Sequence, residues 1–76
     1  MSSINISLNS IDKVKKFVNV ITGMDGDYDL VSDRYVVDAK SIMGIFSLDL
    51  AKTLRLQVLD DENLSLANDR LKEFIV

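Results

Sequence analysis

Apolar and polar residues alternate strictly near the start of the chain: Ile4, Ile6 and Leu8 are separated by Asn5, Ser7 and Asn9. A period of two sends alternate side chains to opposite faces of a strand, so this stretch predicts a half-buried strand. The period then changes. Ile11, Val14, Phe17, Val18 and Ile21 recur at spacings of three and four, the pattern of an amphipathic helix. Ser10 is placed to cap its first turn, and Gly23 to close it in a left-handed conformation. Two strands are expected near 28–32 and 35–39, with Ser32-Asp33-Arg34 as a hairpin turn that lacks the usual glycine. Leu54, Leu56 and Val58 alternate with Arg55, Gln57 and Leu59, the clearest strand pattern of all. Asp60 or Asp61 can cap a last helix, Glu62 suits the positive end of its dipole, and Leu64, Ala67, Leu71, Phe74 and Ile75 form its buried stripe.

Residues 40–52, "KSIMGIFSLDLAK", fit neither period cleanly. Ser41 suits a helix N-cap, because its hydroxyl can accept a bond from an otherwise unpaired amide. At helical spacing, Ile42, Met43, Ile45, Phe46, Leu48 and Leu50 spread over roughly 220°. A helix lying on a sheet buries a narrower stripe. Two readings stay open: an exposed apolar surface that meets a partner, or a short segment buried on both sides. The element order is β-α-β-β-α-β-α. Half-buried strands and one-sided helices bury each other in two layers. The expected fold class is therefore α+β, an open-faced sandwich with three helices on one face of a four-stranded, mainly antiparallel sheet, in one domain spanning 1–76.

Composition narrows the function classes. The 47% hydrophobic and 28% charged content is that of a soluble globular protein. No apolar run approaches the roughly 18 residues of a membrane span, and the polar start does not read as a signal peptide. A cytoplasmic protein without membrane association is the expectation. The net charge of -3 argues against nucleic acid as a partner; Lys13, Lys15 and Lys16 are the one basic cluster and read as a solvated helix face. Absence of cysteine and histidine removes disulfides, thiolate and imidazole ligands, and the usual nucleophile–base pairs. Asp25, Asp27 and Asp29 imitate the first ligands of a calcium loop. The sixth and twelfth positions of such a loop hold Leu30 and Val36 instead of glycine and glutamate, so an acidic turn is the better reading and no metal or other cofactor is expected.

The 40–52 segment resembles the most recognisable stretch of the HPr family, the phosphocarrier proteins of the bacterial sugar phosphotransferase system. Family members read close to "KSIMGVMSLGVAKG". Lys40, Ser41, Ile42, Met43, Gly44, Ser47, Leu48, Ala51 and Lys52 match as they stand, nine of thirteen positions. The resemblance extends to element order and length over nearly the whole chain, and it implies the same β-α-β-β-α-β-α sandwich. It also implies a role for the apolar excess. In the family, the short helix after the serine presents an apolar patch to the upstream phosphoryl donor enzyme, to sugar-specific acceptors and, in some bacteria, to a transcriptional regulator. Ile42, Met43 and Phe46 occupy the corresponding positions, with Leu48 at the edge. In Gram-positive members the serine matching Ser41 is phosphorylated by an ATP-dependent kinase, which makes Ser41 a candidate regulatory site. A phosphate there would meet free amides and a favourable dipole.

The family's own chemistry is missing. An HPr carries phosphate on a histidine in a motif like "G-x-H-A-R-P" at the start of its first helix. The corresponding region here is "LNSIDKVKKF". Counting back from Ser41 without gaps puts Ser10 at the histidine position, Asp12 at the arginine and Lys13 at the proline. Asp49 and Thr53 stand where the family usually has glycines, and Asp is a residue that can take the left-handed cap glycine favours. A phosphoimidazole transfers its phosphoryl group readily and arginine offers it paired charge-assisted bonds, whereas a serine phosphate is a stable ester. The leading expectation is an HPr-like module, not an enzyme, that acts through protein contacts and regulation. Some relatives that lack the histidine and keep the serine act this way in carbon-catabolite control. Two alternatives remain: residual phosphotransfer through Asp12 or Ser10, and a structural scaffold that self-associates through the apolar helix.

Overall fold

The computed structural model describes residues 2–76. Its elements are β1 (Ser2–Ile6), α1 (Ile11–Thr22), β2 (Tyr28–Ser32), β3 (Tyr35–Asp38), α2 (Ile42–Phe46), β4 (Leu54–Val58) and α3 (Leu64–Arg70). The four strands form one sheet in the order β1-β4-β2-β3, every pair antiparallel. Ile4 stands opposite Leu56, Leu56 opposite Leu30, and Leu30 opposite Val37, so the apolar set of each strand lands on one face. That face carries the helices. Val14, Phe17 and Ile21 of α1 and Ala67 of α3 join it in a single core. The rings of Phe17 and Phe74 meet edge to face at 5.6 Å and 86°, the arrangement the ring quadrupole favours. The open-faced sandwich expected from the sequence is the fold observed.

Several local expectations change. The first strand ends at Ile6, where its ladder with β4 runs out at Leu54; Leu8 is still buried, but from a loop. Ile11 is 63% exposed instead of joining the buried stripe. At 100° per residue it lies about 90° from the centre set by Val14, Phe17 and Ile21, which takes it to the flank. Gly23 is right-handed (φ -88°), not left-handed, because α1 closes by tight turns in which Gly23 N donates to the Val20 carbonyl and Met24 N to that of Ile21. The left-handed glycine is Gly26, φ +106°, where a side chain would strike Asn63. The hairpin turn manages without glycine by placing Asp33 at φ 53°, a conformation aspartate tolerates better than most residues.

The last helix is also subdivided. Asp60, not Asp61, supplies the cap, accepting from Glu62 N at 3.3 Å, and it caps a 3-10 turn over Asp61–Asn63 that leads into α3. A second 3-10 turn, Lys72–Phe74, follows. Ile75 then leaves helical geometry and bridges antiparallel to Ile6. Ser7 N donates to the Phe74 carbonyl at 2.8 Å and Val76 N to the Asn5 carbonyl at 3.1 Å. Unpaired backbone groups on the free edge of β1 thus draw the chain end into extended pairing.

Candidate functional site

The 40–52 segment is built as a short helix held tightly from below. Asp38 starts the turn into it: Asp38 Oδ1 accepts from Lys40 N at 2.9 Å, and the Asp38 carbonyl accepts from Ser41 N at 3.0 Å. Asp side chains favour such turns because they bond their own backbone two residues on. Ser41 is the N-cap of α2, its Oγ accepting from Gly44 N at 3.2 Å, and Ile45 N donates to the Ser41 carbonyl. Lys40 acts as a strap. Its Nζ donates to the Met24 carbonyl at 2.8 Å and lies 5.8 Å from the centre of the Tyr28 ring. The Tyr28 hydroxyl in turn donates to the Asp25 carbonyl at 2.7 Å. Burial, then the negative charges of Asp25 and Asp60, holds that hydroxyl above the ordinary tyrosine range.

Gly44 lets α2 lie close to β3. A Cβ at this position would stand 3.2 Å from Val37 Cβ and 3.3 Å from Ser41 Oγ, tighter than ordinary contact. At the other end the Ser47 hydroxyl donates to the Gly44 carbonyl, which also accepts from Ser47 N at 3.1 Å, so the C-terminal turn of the five-residue helix is closed twice.

The two readings of the apolar excess divide the residues between them. Ile45 is fully buried, and Leu50 packs against the core. Leu48 is buried too, 7% exposed, so it is not an edge of the surface patch: the chain has left α2 at Ser47 and turns Leu48 inward. Ile42, Met43 and Phe46 remain outside, at 37%, 79% and 41% exposure. They sit at positions i, i+1 and i+4 of one helix, which places them on one side of it. Together they form an apolar cluster left in water on a tightly built helix.

Ser10 and Asp12 are arranged differently. Ser10 Oγ accepts from Lys13 N at 3.2 Å, as an N-cap should. Asp12 stands in the first turn of α1, where the dipole favours a negative charge. Ser10, Asp12 and Lys13 are all exposed. α1 and α2 pack beside each other, yet among the described residues no hydrogen bond or ion pair joins Ser10 or Asp12 to Ser41. Asp49 is not left-handed; among non-glycine residues described only Asp33 has a positive φ. Its Oδ1 instead accepts from Ala51 N at 3.2 Å, a local turn any Asp can make.

Some exposed apolar residues escaped the sequence reading, among them two beside α2. Ile11 opens α1, the helix beside α2, and Tyr35 opens β3, the strand beneath it; they are 63% and 65% exposed. The angular offset of Ile11 from its stripe was a usable signal. Tyr35 had none, because a strand pattern does not reveal which strand ends the sheet.

No family model matches the chain, and no curated protein matches it. A solved structure does: a protein from Thermoanaerobacter tengcongensis described as HPr-C-His is similar at a TM-score of 0.79 and 24% sequence identity, over 96% of this chain and 89% of that one. With the antiparallel β1-β4-β2-β3 sheet and its three helices, the chain has the HPr-like open-faced sandwich fold.

Proposed function

We propose that this protein is an HPr-like protein-interaction and regulatory module, related to the sugar phosphotransferase system and acting through α2. The observation that carries the reading is the exposed trio Ile42, Met43 and Phe46 on a helix whose one other large apolar residue, Ile45, is buried. The partners it fits are a phosphotransferase-system component or a transcriptional regulator. Phosphate cannot be carried on histidine within these 76 residues, because they contain none. Ser41 is the regulatory candidate. Its Oγ already accepts from the amide of Gly44, so a phosphate there would gain a charge-assisted bond in place of a neutral one. Residual transfer through Asp12 or Ser10 has less support, since both are solvated residues of an ordinary helix start.

Two incubations test this reading. With phosphoenolpyruvate and the phosphoryl donor enzyme, the intact mass should stay unchanged; a phosphoryl group labile to hydroxylamine would instead point to an acyl phosphate on Asp12. With ATP and the serine kinase of the system, one phosphoryl group should appear at Ser41 and vanish in Ser41→Ala. No modification at Ser41 would remove the regulatory half of the proposal.

A further inference from the structure

The two edges of the sheet are finished differently. On the β1 edge the chain end is hydrogen-bonded alongside, through Phe74, Ile75 and Val76. The β3 edge has no such cover among the described residues. The register shows which groups it offers. Ala39 N donates to the Tyr28 carbonyl at 2.9 Å. Alternation in an antiparallel ladder then turns Val37 and Tyr35 toward β2, and the N–H and C=O of Val36 and the N–H of Asp38 outward. The Asp38 carbonyl is engaged by Ser41 N, but among the described residues no backbone partner reaches the outward groups of Val36. Two common guards of an edge, proline and lysine, are absent from Tyr35–Asp38, and its Val36 is 58% exposed.

The sequence of this edge is complementary to itself. We propose that β3 pairs antiparallel with β3 of a second copy about a two-fold axis at Val36, joining two four-stranded sheets into one of eight strands. With Val36 opposite Val36, the two residues exchange both of their outward backbone bonds. The same register sets Arg34 opposite Asp38 twice, once on each side of the axis, and Tyr35 opposite Val37. Opposite charges across a strand pair favour that register and disfavour a slipped one. Neither Arg34 nor Asp38 forms an ion pair within the chain among the described residues, whereas Asp33 is already met by Lys52 at 3.4 Å. A four-residue edge buries less than the ~1,200 Å² of a stable complex, so the association is weak, with a dissociation constant on the order of 0.1–1 mM. Nothing in this inference depends on the docking role of α2.

Analytical ultracentrifugation from about 10 μM to about 1 mM spans that range. The mass should rise from monomer toward dimer, and Val36→Pro, which deletes an outward N–H and no ladder bond, should weaken the association at least about tenfold. Arg34→Asp and Asp38→Arg should each be monomeric alone and associate again when mixed in equal amounts, a rescue that a merely misfolded variant would not give. A chain that stays monomeric throughout overturns the proposal. So does a dimer that survives Val36→Pro and is lost in Phe46→Lys, since that would place the contact on α2.

Discussion

The starts of α1 and α2 carry the same device in different surroundings. Each begins with a serine whose Oγ accepts from the amide three residues on, at 3.2 Å in both cases. Beyond that cap the helices diverge. α1 runs for twelve residues, exposes Asp12, Lys13, Lys15 and Lys16, and buries Val14, Phe17 and Ile21. α2 runs for five, has no acidic residue in its first turn, and leaves three of its four large apolar side chains exposed. A cap therefore marks where a helix starts and says nothing about its purpose. The difference lies in where the apolar residues go once the core has taken what it needs. In α1 the core takes nearly all of them, with Ile11 the exception; in α2 it takes Ile45 alone.

The largest expected effect separates the two helices by their aromatic rings. Phe17→Ala removes a fully buried ring and its edge-to-face contact with Phe74, and should cost about 3–5 kcal/mol in urea unfolding. Phe46→Ala, at a ring already 41% exposed, should cost no more than about 1 kcal/mol. Equal losses would mean that α2 is a core helix and that the comparison is mistaken.

Glycines provide a finer contrast. Gly44→Ala forces a methyl group against Val37 and should destabilise the fold by about 1–3 kcal/mol. Gly23→Ala meets nothing nearer than the Val20 carbonyl at 3.6 Å and sits at an ordinary φ, so it should be neutral or stabilising by about 0.4–1 kcal/mol. Thermal melts of the two variants would shift in opposite directions.

The caps themselves should behave alike in stability and unlike in modification. Ser10→Ala and Ser41→Ala each lose one hydrogen bond to a helix amide and should each cost about 1 kcal/mol. Only Ser41→Ala should abolish labelling by the serine kinase.

Smallest is an alkaline effect beneath α2. The fold favours the neutral form of Tyr28, whose hydroxyl must donate to Asp25. An unfolded tyrosine ionises near pH 10. The contribution of Tyr28 is therefore intact below about pH 10 and is lost as pH rises through the higher folded value. Tyr28→Phe should flatten that decline; an unchanged slope would assign it to other groups.

Much of the architecture was readable because periods of two and 3.6 are enforced by burial. Ile4, Ile6, Leu54, Leu56 and Val58 had to face one way, and Val14, Phe17 and Ile21 had to face them. The departures fall where tertiary hydrogen bonds override local pattern. Ile75 fits a helical stripe, but the unpaired edge of β1 draws it into extended geometry. Gly23 can be left-handed, but α1 closes on right-handed turns. At the site, the sequence pointed to Ile42, Met43 and Phe46 and overreached at Leu48, because a helical wheel assumes that the helix continues. α2 ends after Phe46, and the turn at Ser47 sends Leu48 inward.

The most direct test of the docking account is a titration of the isotope-labelled chain with the phosphoryl donor enzyme of the phosphotransferase system, followed by amide NMR. The account predicts shifts centred on Ile42–Phe46, abolished by Met43→Glu while the melting temperature stays within about 2 °C, and no phosphoryl group on the recovered chain. Shifts centred on Ser10 and Asp12 with a phosphoryl group attached there would contradict it.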